Sequence, residues 1–140
     1  MKKIVFLLVL SLLWVGSANS KIIELKKCSI GESKFNSDHY EKRGWVINTE
    51  KLLVQSVRVL TDNYYEEQKI KIIKEFGNFE GLNKISITNY EIEYLDKNYV
   101  RAVSKFFYNG EQVESLAEID IKNKKIFIKF LGSGTVHQCK

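Results

Sequence analysis

The chain has 140 residues, no proline, two cysteines and 22 Lys and Arg against 17 Asp and Glu, a formal net charge of +5. Lys2 and Lys3 belong to a leader, so the remainder carries +3, interleaved with strand-like stretches rather than gathered on one basic face. These features exclude a two-domain protein, a nucleic-acid footprint of clustered basic and stacking residues, and a membrane span after the leader.

Met1–Ser20 reads as a Sec-type signal peptide. Lys2 and Lys3 form the charged n-region and Ile4–Val15 the apolar h-region, and Gly16-Ser17-Ala18-Asn19-Ser20 offers the small residues that a leader peptidase needs. Cleavage fits after Ser20 or after Ala18. Residues 21–140 then form a single domain, periplasmic or secreted. In an oxidising compartment its two cysteines, Cys28 and Cys139, are expected to form a disulfide. Closing a loop of that length stabilises by about 4–5 kcal/mol in the chain-entropy account.

Residues 29–44 are polar, with Gly31 and Gly44, and form the longest expected loop. Trp45-Val46-Ile47 and Leu52–Leu60 follow as a hairpin across Asn48-Thr49-Glu50-Lys51, with Ile47 facing Leu52 and Trp45 facing Val54. Lys69–Phe76 reads either as a strand or as the end of a helix that starts at Asp62 or Asn63 and stops at Gly77. The β-branched run Ile70, Ile72, Ile73 favours the strand.

Residues 84–131 read as a four-stranded meander. Asn109-Gly110 is a two-residue type I′ hairpin signal. It sets Phe106 opposite Val113, Ser104 opposite Ser115, Ala102 opposite Ala117 and Val100 opposite Ile119, with Lys105 against Glu114 and Arg101 against Glu118 outside. A one-residue slip would put every side chain on the wrong face. Downstream, the loop Lys122-Asn123-Lys124-Lys125 pairs Ile119 with Ile128 and Ala117 with Phe130, and sets Glu118 against Lys129. Upstream, a turn through Asp96-Lys97-Asn98 brings Tyr90, Ile92 and Tyr94 beside Ser104, Ala102 and Val100. Ile47…Lys51-Leu52-Leu53-Val54 faintly echoes Ile121…Lys125-Ile126-Phe127-Ile128. Thr135–Cys139 is the last strand, after Gly132-Ser133-Gly134.

Together these segments make an all-β fold, an antiparallel up-and-down meander of about eight strands. With its ends bridged it closes into a small barrel, or else packs as a sandwich. In strand count and topology it resembles a small calycin-type barrel. No motif accompanies that likeness, and no residue role follows from it.

No side chain sits in a catalytic or metal-binding pattern. His39 beside Asp38 lies in a polar loop, His137 sits in the last strand, and no helix follows Gly132-Ser133-Gly134 to make a phosphate cradle. Glu66/Glu67 and Glu91/Glu93 read as solvated pairs. The expectation is a non-catalytic protein without cofactor or metal. On the inner face, Ala102, Ser104, Ser115 and Ala117 form a cross-strand square of small residues flanked by Tyr90, Tyr94 and Phe106. Such a floor with aromatic walls suits a small apolar or amphipathic ligand, unless Trp45, Phe76 or Phe79 fills the space from the opposite wall. Outside, Val103, Phe107, Leu116, Phe127 and Leu131 form an apolar patch suited to a protein partner. A cavity over Ala102 and Ser115 favours the ligand; a filled core with Phe107 and Phe127 exposed favours the partner.

Overall fold

The computed structural model describes residues 21–140; the signal peptide assigned to Met1–Ser20 lies outside them. Nine strands form one antiparallel sheet curled into a half-barrel. They are β1 (Ile22–Leu25), β2 (Ser29–Ile30), β3 (Tyr40–Asn48), β4 (Leu53–Leu60), β5 (Ile85–Leu95), β6 (Tyr99–Tyr108), β7 (Glu111–Asp120), β8 (Lys125–Phe130) and β9 (Ser133–Gln138). Their order is β1-β3-β4-β5-β6-β7-β8-β9-β2, so β3 to β9 run as a meander and two short strands make the edges.

Those edges are consecutive in the chain. Lys26-Lys27-Cys28 crosses from one to the other; the Cys28 amide donates to Arg43 O at 2.9 Å and the Lys140 amide to Lys26 O at 3.0 Å. Cys28 and Cys139 form the expected disulfide across 111 residues of sequence. The bridge therefore ties the two margins of the curled sheet together.

Alternation and turn chemistry explain the registers. The β6–β7 hairpin pairs as expected from Tyr108↔Glu111 to Val100↔Ile119, with Asn109 and Gly110 both at positive φ, as a type I′ turn requires. The two four-residue hairpins are displaced by two residues from expectation. Ile47 pairs with Val54 and Trp45 with Ser56; Ile119 pairs with Ile126, Ala117 with Ile128 and Glu118 with Phe127. In both, an Asx residue ends the strand and caps the turn. Asn48 Oδ1 accepts from the Lys51 amide and Asp120 Oδ1 from the Asn123 amide, both at 3.0 Å. The last loop residue, Leu52 or Lys124, takes the left-handed conformation at φ 50° and 53°. The two hairpins thus share one turn design, but with Asn48 matching Asp120, two residues away from the alignment of Ile47 with Ile121 that the sequence echo suggests. Because the slip is by two, every residue keeps its face.

The loop expected over 29–44 narrows, because Ser29–Ile30 and the start of Tyr40–Asn48 are strand, and two further expectations fail for identifiable reasons. Asp62–Phe76 is a helix, α1, rather than a strand over Lys69–Phe76. Thr61 caps it by accepting from the Tyr64 amide, and Gly77 ends it at φ 78° with its amide on Ile73 O. These caps outweigh the β-branched run. Second, a bulge between Ile92 and Tyr94 in β5 pairs Tyr94 with Arg101 and gives Val100 to Leu95. Tyr94 therefore turns outward, 52% exposed, with its hydroxyl on Asp96.

The core fills the end of the half-barrel that carries the turns 49–52, 96–98 and 121–124. Ile47, Val54, Val100, Ala102, Ala117, Ile119 and Ile126 are fully buried there, with Trp45, Tyr90, Leu25 and the disulfide around them.

Candidate functional site

The seven residues proposed for a pocket divide. Ala102, Ala117, Ser104, Ser115 and Tyr90 are buried; Phe106 is half-exposed and pairs with Phe130 at 5.3 Å between ring centroids; Tyr94 is outside. The Tyr90 hydroxyl lies 3.3 Å from Ser115 Oγ, and Trp45 packs against Tyr90 at 5.4 Å. Ala102 and Ala117 belong to the packed core, and Tyr90 joins Ser115 to Trp45 beside it.

An open space lies one wall further on. Three ladders cross β3, β4 and β5 on the concave face. The first is Ile47–Val54–Tyr90, wholly buried; the second Trp45–Ser56–Thr88; the third Arg43–Arg58–Ser86. Successive inward rungs are separated by about 7 Å along the strand, so the face changes from apolar to cationic within two rungs. A cavity of about 180 Å³ lies over the second and third rungs, closed on its far side by His137, Cys28 and Ile30. A wider depression of about 230 Å³ lies where β1 leaves β3, between Lys26, Lys27, Phe35 and Arg43–Val46. The smaller space is the better site, because convergent polar side chains line it beside an aromatic ring.

The chain builds its walls for clear reasons. β1 pairs with β3 only from Ile22↔Asn48 to Leu25↔Trp45, so the edge cover ends at the Trp45 rung and the wall beyond it is open. Arg43 is buried nonetheless. Its Nε donates to Cys28 O at 2.7 Å and its Nη2 to Ser33 O at 2.8 Å, while the guanidinium stacks on Tyr40 at 4.6 Å. It clamps residues 28–33 to the sheet, and every acceptor it uses is neutral. Arg58, directly opposite, has its Nε buried with no partner. Leaving such a donor unmet costs about 1–3 kcal/mol. No carboxylate lines the cavity, and no ion pair among the described residues involves Arg43 or Arg58.

His137 completes the site. The Trp45 indole Nε1–H donates to His137 Nδ1 at 3.0 Å, which leaves the ring proton on Nε2. Burial, and secondarily the Arg43 charge, push its pKa down to about 4. The imidazole is neutral at ordinary pH and holds the indole against the cavity.

Sequence reasoning passed over Arg43, Arg58, Ser56 and Thr88. A signal existed: Arg43 and Arg58 are two of only three arginines, and both share the inward parity of Trp45 and Val54. Among the described residues there is no group of three His, Cys, Asp or Glu able to hold a metal ion, and no helix long and apolar enough to cross a membrane. Compared with family models, curated proteins and solved structures, the chain matches none of them.

Proposed function

We propose that this is an exported, non-catalytic binding module whose half-barrel holds a small amphipathic ligand on its concave face. The observation that carries the reading is the cavity of about 180 Å³ set between the Trp45 ring and an inward cationic rung. A void of about 150 Å³ accommodates a benzene-sized molecule, so the site suits a ligand of roughly that size with a polar end. The disulfide and the leader-like N-terminus support export, and the polar-lined concave cavity supports small-molecule binding. Native mass spectrometry of protein recovered from its own exported fraction tests this. The expected spectrum shows a small non-covalent adduct lost on unfolding, and a bare mass at native concentration contradicts it.

A second reading has its own observation. On the outer face Phe107 is 77% exposed and Leu131 is also exposed, although Val103 is buried and Phe127 half-buried across Gly134. That remnant of the patch supports a protein-interaction module, an inhibitor or an envelope component, and a protein adduct in the same spectrum selects it.

A further inference from the structure

Two like charges set directly opposite each other in a sheet repel, and Arg43 and Arg58 are such a pair on an inward face. Folded proteins bring arginines inside with carboxylates to match them; here the lining contains none. Arg43 spends its Nε–H and two of its Nη–H groups on Cys28 O, Ser33 O and Ser33 Oγ, which fixes its position without neutralising its charge. His137 is held as a neutral ring whose accepting nitrogen is already taken by Trp45, so it offers the guanidinium nothing. What remains is one planar fork, Arg58, with a buried and unmet Nε–H, in the field of a second fixed cation. The hydroxyls of Ser56, Ser86 and Thr88 stand beside it. The paired Nη–H groups of a guanidinium match two oxygens of a carboxylate or phosphate.

We propose that Arg58, supported by Arg43, is the receptor for an oxyanion carried on a small apolar body that rests against Trp45. This rests on the reading of the concave cavity as a ligand site and specifies the ligand: a small organic carboxylate or phosphate ester, aryl or short-chain. The surface lysines play no part. The adjacent like charges are a feature that the free protein tolerates and the anion relieves.

Four probes test it on the exported protein by calorimetric titration: benzoate, benzamide, phenyl phosphate and inorganic phosphate. Trp45 is the only tryptophan in residues 21–140, so its fluorescence gives a second readout at the site. Benzoate or phenyl phosphate is expected to bind at least tenfold more tightly than neutral benzamide, with a change in Trp45 emission. Arg58→Gln removes that advantage while leaving benzamide within twofold, and the thermal midpoint holds or rises because the unmet donor is gone. Arg58→Lys keeps charge without the fork and retains only part of the affinity. Equal binding of benzoate and benzamide, unaffected by Arg58→Gln, overturns the oxyanion receptor and leaves the ligand site standing. Inorganic phosphate binding alone overturns the apolar body. No binding by any probe overturns the ligand site itself. A sharp fall in midpoint for Arg58→Gln with probe affinity intact shows Arg58 to be structural and overturns the proposal.

Discussion

The rungs Ile47–Val54–Tyr90 and Arg43–Arg58–Ser86 lie in the same three strands, on the same face, about 14 Å apart. One is dry and close-packed; the other holds two guanidinium groups around open space. Alternation treats them alike, since both point inward. The difference comes from what crosses the gap between the sheet margins. β1, the turns and Cys139 cover the first end, while β1 stops at the Trp45 rung and the crossing segment meets the second only at Cys28, beside the cavity. In a half-barrel, position along the strand decides whether an inward residue becomes core or site.

Changes at the closed end are expected to have the largest effects. Replacing both Cys28 and Cys139 by serine releases the margins and lowers stability by about 4–5 kcal/mol in urea unfolding. Ile47→Ala, at a fully buried position, costs about 2–5 kcal/mol by the same measurement. Arg58→Gln in the same wall is expected to cost nothing measurable, and an equal loss at the two positions would erase the contrast between the rungs. Ala117→Phe probes the small-residue square. As filled core it loses about 1–3 kcal/mol or fails to fold, whereas a well-folded Ala117→Phe would show that space was free there.

The site rung also carries a pH signature. His137 titrates at about 4 when folded, below its ordinary 6.5. Between those values the unfolded chain binds the proton and the folded one does not. Its contribution to stability is therefore full above pH 6.5 and declines as pH falls toward 4. The loss is on the order of 1–2 kcal/mol, discounted for partial exposure. His137→Gln should flatten that part of a pH series of unfolding curves. The smallest expected effect is at Thr61→Ala, which removes the α1 cap and costs about 1 kcal/mol, with the concave wall unchanged.

Much of this was legible in the sequence, because local rules with tight geometry leave few choices. The Asn109-Gly110 turn fixed the β6–β7 register residue by residue, and the cysteine pair indicated which ends meet. The displaced hairpins show the limit of that reading. Whether Asn48 and Asp120 belong to strand or loop depends on a side-chain cap and on Leu52 and Lys124 tolerating positive φ, neither of which periodicity reports. A bulge such as the one that turns Tyr94 outward leaves no mark either, since Ile92 and Tyr94 keep perfect alternation in sequence. The candidate site was placed one wall away for a related reason. Small residues at Ala102 and Ala117 suggest space, but both are fully buried in the cluster that also holds Trp45 and Tyr90 once the sheet curls. Arg43 and Arg58 carry the inward parity in the sequence, but nothing local shows that no carboxylate meets them.

The most direct test observes the Arg58 side chain itself. Residues 21–140 contain three arginines, so ¹⁵N–¹H spectra of the exported protein resolve three Nε–H groups. Arg43 donates to Cys28 O and Arg101 lies 3.9 Å from Glu93 at the surface, and both should change little on adding benzoate. The Arg58 Nε–H should move downfield and become protected from exchange as the probe saturates. An Arg58 signal that stays fixed while benzoate binds, or that moves no more than that of Arg101, would contradict Arg58 as the receptor for the anion.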